Sequence, residues 1–205
     1  MTAPLPAEGA PVAAAPQRFH IHQKITPFQN VYRVFSDANG QPGPLIACVK
    51  QKRMALREAF TVYRDEAATV PVMGIKADRK LDISSTMSVT DTNGQLIGKL
   101  RKKGAASILR STWELEQEGL PIVTVTERSM LVAILRRFWS QIPYIGDLWI
   151  PWVFHFDGKI GERTVLTHTR HWGIRDHYVL ETMAPELDSR LAIALAIMLD
   201  AMQHR

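Results

Sequence analysis

Residues 191–199 read Leu-Ala-Ile-Ala-Leu-Ala-Ile-Met-Leu, nine apolar side chains in a row, closed by Asp200. At helical rise nine residues span roughly 14 Å, about half the hydrocarbon thickness of a bilayer, so this run is too short to cross one. Nine residues also cover every face of a helix, which leaves no polar side to turn to water. Such a helix belongs inside protein. Ala192 and Ala196 stand one turn apart and permit close approach on one side, while Leu195, Leu199 and Met202 fill space beside them.

The sequence around this run predicts what encloses it. From Arg18 onward, short stretches rich in β-branched and aromatic residues alternate with turn signals. Strands are expected over 30–36, 45–50, 60–64, 70–76, 85–91, 95–101, 108–116, 122–127, 152–156, 163–169 and 177–182. Asn39-Gly40 and Asp91-Thr92-Asn93-Gly94 are hairpin turns by composition, since Asn-Gly tolerates positive φ. Further turns are read at Asp157-Gly158 and Gly161, and residues 51–57 suit a turn of helix. In the 108–116 stretch Leu109, Ser111, Trp113 and Leu115 share one face, and Arg110, Thr112, Glu114 and Glu116 the other. About ten to twelve strands at this spacing predict a barrel or sandwich. One further helix is expected near 130–142, where Leu131, Ile134, Leu135, Phe138 and Ile142 form a stripe between a Ser129 cap and Pro143. Residues 1–17, rich in Ala and Pro, read as a disordered tail with no secretory signal, and 18–205 as one domain.

The order of these pieces over roughly 19–203 resembles the tubby C-terminal-like superfamily, which includes the LURP-one-related proteins and the phospholipid scramblases. The carrying residues are Lys52-Arg53 and Arg57-Glu58-Ala59-Phe60 ahead of an alternating strand, then Val72, Ile75 and Lys76. Ser88-Val89, the Asp91 to Gly94 turn and Ile97-Gly98-Lys99-Leu100 follow, and the chain closes on Leu187-Asp188, Leu191 and the apolar run. The resemblance implies a mainly β fold, a closed barrel of about twelve strands wrapped around a buried hydrophobic C-terminal helix. It also implies functions at lipid surfaces, since tubby proteins bind phosphoinositides through basic side chains and scramblases move lipids with calcium. This chain departs from the scramblases, having a single cysteine and only sparse acids between Asp176 and the apolar helix.

Charge points the same way. Residues 50–110 carry 13 basic and 6 acidic side chains, whereas 111–205 carry 9 basic and 12 acidic. A basic half suits an anionic partner. The candidate anion- or headgroup-binding residues are Lys50, Lys52, Arg53 and Arg57 in one group, and Lys99, Arg101, Lys103 and Arg110 in another. The aromatic-rich stretch from Met130 to Phe156 adds interfacial candidates in Arg136, Arg137, Trp139 and Trp149, because Trp beside Arg on an amphipathic helix is a membrane-surface pattern. Between Val49 and Arg110 the only aromatics are Phe60 and Tyr63, too few for a base-stacking platform, so nucleic acid is not the expected partner.

Catalytic signatures are missing: no G-x-S-x-G, no Walker A lysine loop, no H-E-x-x-H and no C-x-x-C. Asp91 to Gly94 fits a turn better than a calcium loop, having glycine at the fourth position and Lys102 where the closing Glu would stand. His20 and His22 share a strand face, but two ligands fall short of a metal site, and His168 and His171 face opposite ways on a strand. Cys48, within Ile46-Ala47-Cys48-Val49, reads as a buried thiol, and a lone cysteine fits a reducing compartment. The expectation is a non-enzymatic binding or scaffold domain without cofactor or metal, cytoplasmic, with an anionic membrane surface, met peripherally, or a phosphorylated ligand as its partner. A scramblase-type lipid handler is the alternative, and a soluble hydrolase using His155 or Cys48 ranks below it.

Overall fold

A computed structural model describes residues 16–25, 29–52, 59–78, 85–104, 111–128, 155–171 and 177–203. Twelve strands run in chain order: β1 (Gln17–Ile25), β2 (Gln29–Ala38), β3 (Gln41–Lys52), β4 (Ala59–Tyr63), β5 (Pro71–Ala77) and β6 (Thr86–Thr90), then β7 (Leu96–Lys102), β8 (Thr112–Gln117), β9 (Leu120–Glu127), β10 (His155–Ile160), β11 (Arg163–His171) and β12 (His177–Thr182). One helix, α1 (Ser189–Gln203), follows. Each strand pairs antiparallel with its neighbour in sequence, and β12 returns to β1, closing the barrel. The expected barrel and helix are therefore present. The helix expected near 130–142 lies outside the described residues.

Strict alternation is what closes the wall. In β8 Trp113 and Leu115 are buried and their neighbours are not, and β6 and β12 repeat the pattern. The inward side chains meet α1, in which every residue from Leu191 to Ala201 is buried. Eight strands make a barrel just wide enough for its own side chains to fill, so twelve leave a lumen that needs a filler, and a helix about 10–12 Å across supplies it. Contact is close at Gly98 on β7. A Cβ there would stand 2.5 Å from a Leu191 methyl and 2.4 Å from the Glu116 carbonyl oxygen.

Both ends of the helix are tied down. Asp188 caps its start, accepting the Arg190 N–H at 2.8 Å, and its own N–H donates to Gln117 Oε1 at 2.8 Å. At the other end Asp200 accepts from Tyr32 at 2.7 Å and from Tyr178. Burial alone would raise the Asp188 carboxyl, but hydrogen bonds from Arg190 outweigh it and hold the group below the ordinary carboxylate range.

Antiparallel order sorts the connections. One end of the barrel, here the lower end, carries the joins at 39–40, 64–70, 91–95, 118–119 and 161–162, and α1 enters there. The upper end carries the joins between β1 and β2, β3 and β4, β5 and β6, β7 and β8, β9 and β10, and β11 and β12. Asp200 reaches that end. At the 91–95 join Asp91 Oδ1 accepts from the Asn93 and Gln95 N–H groups at 2.8 Å each, and Gly94 has φ of 81°, so the segment is a turn as expected.

Three local expectations change. Asp157-Gly158 is not a turn. β10 runs through it, with a bulge after Gly158, and the chain turns at Gly161. Glycine is needed at 158 because a Cβ would crowd Leu166 and Val123, each at 3.1 Å. Gln51 and Lys52 continue β3 rather than starting a helix. β3 also begins at Gln41, ahead of Leu45, and passes through Pro42 and Pro44. Its register with β4 is the single pair Cys48 with Tyr63, so the missing prolyl N–H groups deprive no ladder on that side. Among the described residues no helix is long and apolar enough to cross a membrane.

The filler role of α1 is tested at Leu195. Leu195→Ala is expected to cost about 2–5 kcal/mol in urea unfolding, and Leu195→Asp to abolish the native near-UV circular dichroism. A folded, soluble Asp variant would show that this helix is not enclosed.

Candidate functional site

With the lumen occupied, chemistry falls to the outer wall and the ends. On β7 Lys99 and Arg101 lie on the outer face, with Lys103 just beyond the strand. The register with β8 sets Lys99 opposite Glu116 and Arg101 opposite Glu114. Arg101 Nη2 lies 3.1 Å from Glu116 Oε1, and Lys103 Nζ 2.8 Å from Glu114 Oε1. Two cations of this predicted stripe are thus already paired with acids of the next strand. Half-exposed pairs of this kind are worth about 0–1 kcal/mol, so they compete only weakly with a multivalent anion. Lys50 is exposed near the upper end of β3, and Lys52 ends that strand. Arg53, Arg57, Arg110, Arg136, Arg137, Trp139 and Trp149 lie outside the described residues.

The feature that sequence reading missed is a wall of histidines. Five of the chain's seven, His155, His171, His177, His22 and His20, lie on the outer faces of the four consecutive strands β10, β11, β12 and β1. His20, buried between neighbours, sits at the centre of a relay. Its Nε2 lies 2.8 Å from Asp37 Oδ1 and its Nδ1 3.1 Å from His177 Nε2. Asp37 can only accept, so the neutral ring carries its proton on Nε2, and Nδ1 accepts from the His177 Nε2–H. The His177 ring packs against His22 at 4.7 Å and against His171 at 5.4 Å between centroids. Burial pushes His177 down to about 4, and its neighbours His22, His20 and His171 push the same way. The Gly40 N–H, with help from His20, holds the Asp37 carboxyl below its ordinary range. The shared face of His20 and His22 is legible from alternation. Their meeting with His177 is not, because it depends on the register of the first strand with the last. Among the described residues no group of three or more His, Cys, Asp or Glu is arranged to hold a metal ion.

Around this cluster three ion pairs match much of the fixed charge. Arg18 pairs with Glu181 at 2.6 Å, Arg33 with Glu66 at 2.8 Å, and Arg128 with Asp157 at 2.6 Å. His155, next to that last pair, stands 3.3 Å from Thr169 Oγ1, and burial followed by the Arg128 charge pushes it down.

Inside the barrel's upper end lies a second polar group. Gln23 donates to Tyr32 Oη at 3.1 Å, Tyr32 donates to Asp200, and the His168 ring stacks on Tyr178 with centroids 5.2 Å apart. Burial raises the Tyr32 hydroxyl well above its usual value, so it stays a donor to Asp200. His168 is fully enclosed, and burial pushes it down to about 4. Cys48 is buried, and burial raises its thiol. It lies on β3, five strands round the barrel from His155 on β10, so the two cannot act as nucleophile and base.

A family model described as LURP-one-related matches residues 45–200. A comparison with curated proteins finds no match.

The buried His168 fixes a pH dependence. Its folded pKa lies below the unfolded value near 6.5, so between them the unfolded chain takes up a proton that the folded chain refuses. Stability is complete above about pH 6.5 and declines as pH falls through about 4, with a loss at pH 4 of roughly 3 kcal/mol from this residue. Urea unfolding of His168→Phe is expected to shrink the pH 7 to pH 4 difference by about that amount. An unchanged difference would assign the acid sensitivity elsewhere.

Proposed function

The chain belongs to the LURP-one-related family, and on that premise we propose that it is a non-enzymatic, cytoplasmic binding domain that docks peripherally on anionic, phosphate-bearing membrane surfaces. The observation that carries this reading is the filled lumen. With residues 191–201 buried inside the wall, a ligand is met from outside. A closed twelve-stranded barrel around a helix is consistent with the tubby-like superfamily.

Topology favours the upper end as the docking end. β3 delivers Lys50 and Lys52 there, and the join to β4 contains Arg53 and Arg57. β7 delivers Lys103 there, and the join to β8 contains Arg110. The β9 to β10 join, which holds Arg136, Arg137, Trp139 and Trp149, leaves and returns at the same end. Basic residues near an anionic leaflet contribute about 1 kcal/mol each, and Trp supplies the interfacial contact. Lys99 and Arg101 stand lower on the wall opposite Glu114 and Glu116, and their part is secondary.

The test is co-sedimentation of the full chain with phosphatidylcholine vesicles carrying phosphatidylserine, at low and at moderate salt. Binding is expected to need the anionic lipid and to weaken as salt rises. Joint reversal of Lys50, Arg53 and Arg57 to Glu is expected to weaken it more than about tenfold, at about 1 kcal/mol per charge. A folded triple variant that binds as tightly as the parent would remove the basic end from the reading.

A further inference from the structure

The histidine wall adds a variable charge to a surface whose fixed charges nearly balance, five basic against four acidic among the groups that face it. The groups that face it can be named strand by strand. β1 contributes Arg18 and Lys24, and β2 contributes Arg33 and Asp37. β12 contributes Glu181, β11 only Thr167 and Thr169, and β10 Asp157 and Lys159. Arg128 from the end of β9 and Glu66 from the join after β4 complete the set. The acids are engaged: Glu181 with Arg18, Glu66 with Arg33, Asp157 with Arg128, and Asp37 with His20. Imidazole is the side-chain class whose charge changes between neutral and mildly acidic conditions, and on this wall burial holds His177 and His155 back from that change.

We propose that mild acid makes this wall more cationic, and that the added charge strengthens docking of the barrel on an anionic membrane surface. The inference rests on the peripheral-docking reading above and adds its regulation. Four observations support it. The five histidines occupy four contiguous strands, so charge gained by any of them lies on one face. His155, His171 and His177 stand at strand ends on the upper rim, beside the proposed docking end. His171 is exposed and His22 half-exposed, so both rings are open to a surface that approaches the wall. His177, by contrast, is held neutral first by burial, with its three histidine neighbours pushing the same way.

The closeness of the rings, with centroids 4.7 to 5.4 Å apart, is the coupling. Protonated rings a few ångströms apart repel, and an anionic surface relieves the repulsion. By linkage the surface must then raise proton affinity by the same factor that protons raise surface affinity. Asp37 keeps His20 in place through the change, because it accepts from Nε2 whether that ring is neutral or charged.

The experiment measures partition of the full chain onto mixed phosphatidylcholine–phosphatidylserine vesicles at about pH 7.5 and about pH 5.5. Near- and far-UV circular dichroism confirms that the chain is folded at both. Affinity is expected to rise at least about tenfold in acid, the work of one to two added charges. Two variants isolate the cause. His22→Gln with His171→Gln should lose most of the rise and keep the neutral-pH binding. His22→Lys with His171→Lys should bind at the higher pH nearly as the parent binds at the lower. Binding that is equal at both pH values overturns this inference and leaves the docking reading intact, as does a rise that survives the Gln pair. An equal rise on pure phosphatidylcholine also overturns it, since charge would not be the cause. Absence of binding to anionic vesicles at either pH sinks the docking reading and this inference with it.

Discussion

A helix that is apolar on every face must be enclosed on every side, and that requirement sets the rest of this molecule. A single sheet could cover one face of residues 191–199, and a helical partner another, but neither covers all. A closed wall does. Twelve antiparallel strands supply it, and the twelve-stranded circumference in turn leaves a lumen that side chains alone do not fill. Wall and helix are each incomplete without the other. Gly98 shows how tight the fit is, since even a methyl group on β7 would run into Leu191 and the neighbouring backbone.

The same enclosure governs where polar groups can sit. Inside, a charge is tolerated only with partners, and Asp200 has them in the hydroxyls of Tyr32 and Tyr178. Those tyrosines come from β2 and β12, the strands that flank β1, so the carboxylate ties the last turns of α1 to the region where the first strand meets the last. Asp188 and Gln117 do the corresponding work at the helix start. The interior is thus apolar along its length and polar where it is pinned. Function is displaced to the outside.

How far the sequence reveals this depends on the range of the interaction. Alternation is local, so Trp113 and Leu115 inward with Glu114 and Glu116 outward could be read directly, and so could the Asn39-Gly40 and Asp91 to Gly94 turns. The enclosed helix followed from nine consecutive residues. The Asp157-Gly158 dipeptide misled because glycine serves two needs: a turn requires its φ, while this strand requires its missing Cβ. Register was not legible. Nothing near Arg101 and Lys103 in the chain says that Glu116 and Glu114 stand beside them, and so a stripe that looked uniformly basic is half neutralised. His20 and His177 are 157 positions apart and meet only because the barrel closes.

Closure therefore does more than seal the core. By joining β12 to β1 it brings histidines from the two ends of the domain onto one wall, where each changes what a proton costs the next. Fixed ion pairs on that wall compensate one another and contribute little to a long-range field. A charge that varies with mild acid can come only from groups whose state changes, and here those are imidazoles. The proposed response to mild acid would pass through this seam. The helix makes that so indirectly: it fills the lumen, which leaves the barrel's own outer surface, and most variably the faces of β10, β11, β12 and β1, as the place where charge can be gained.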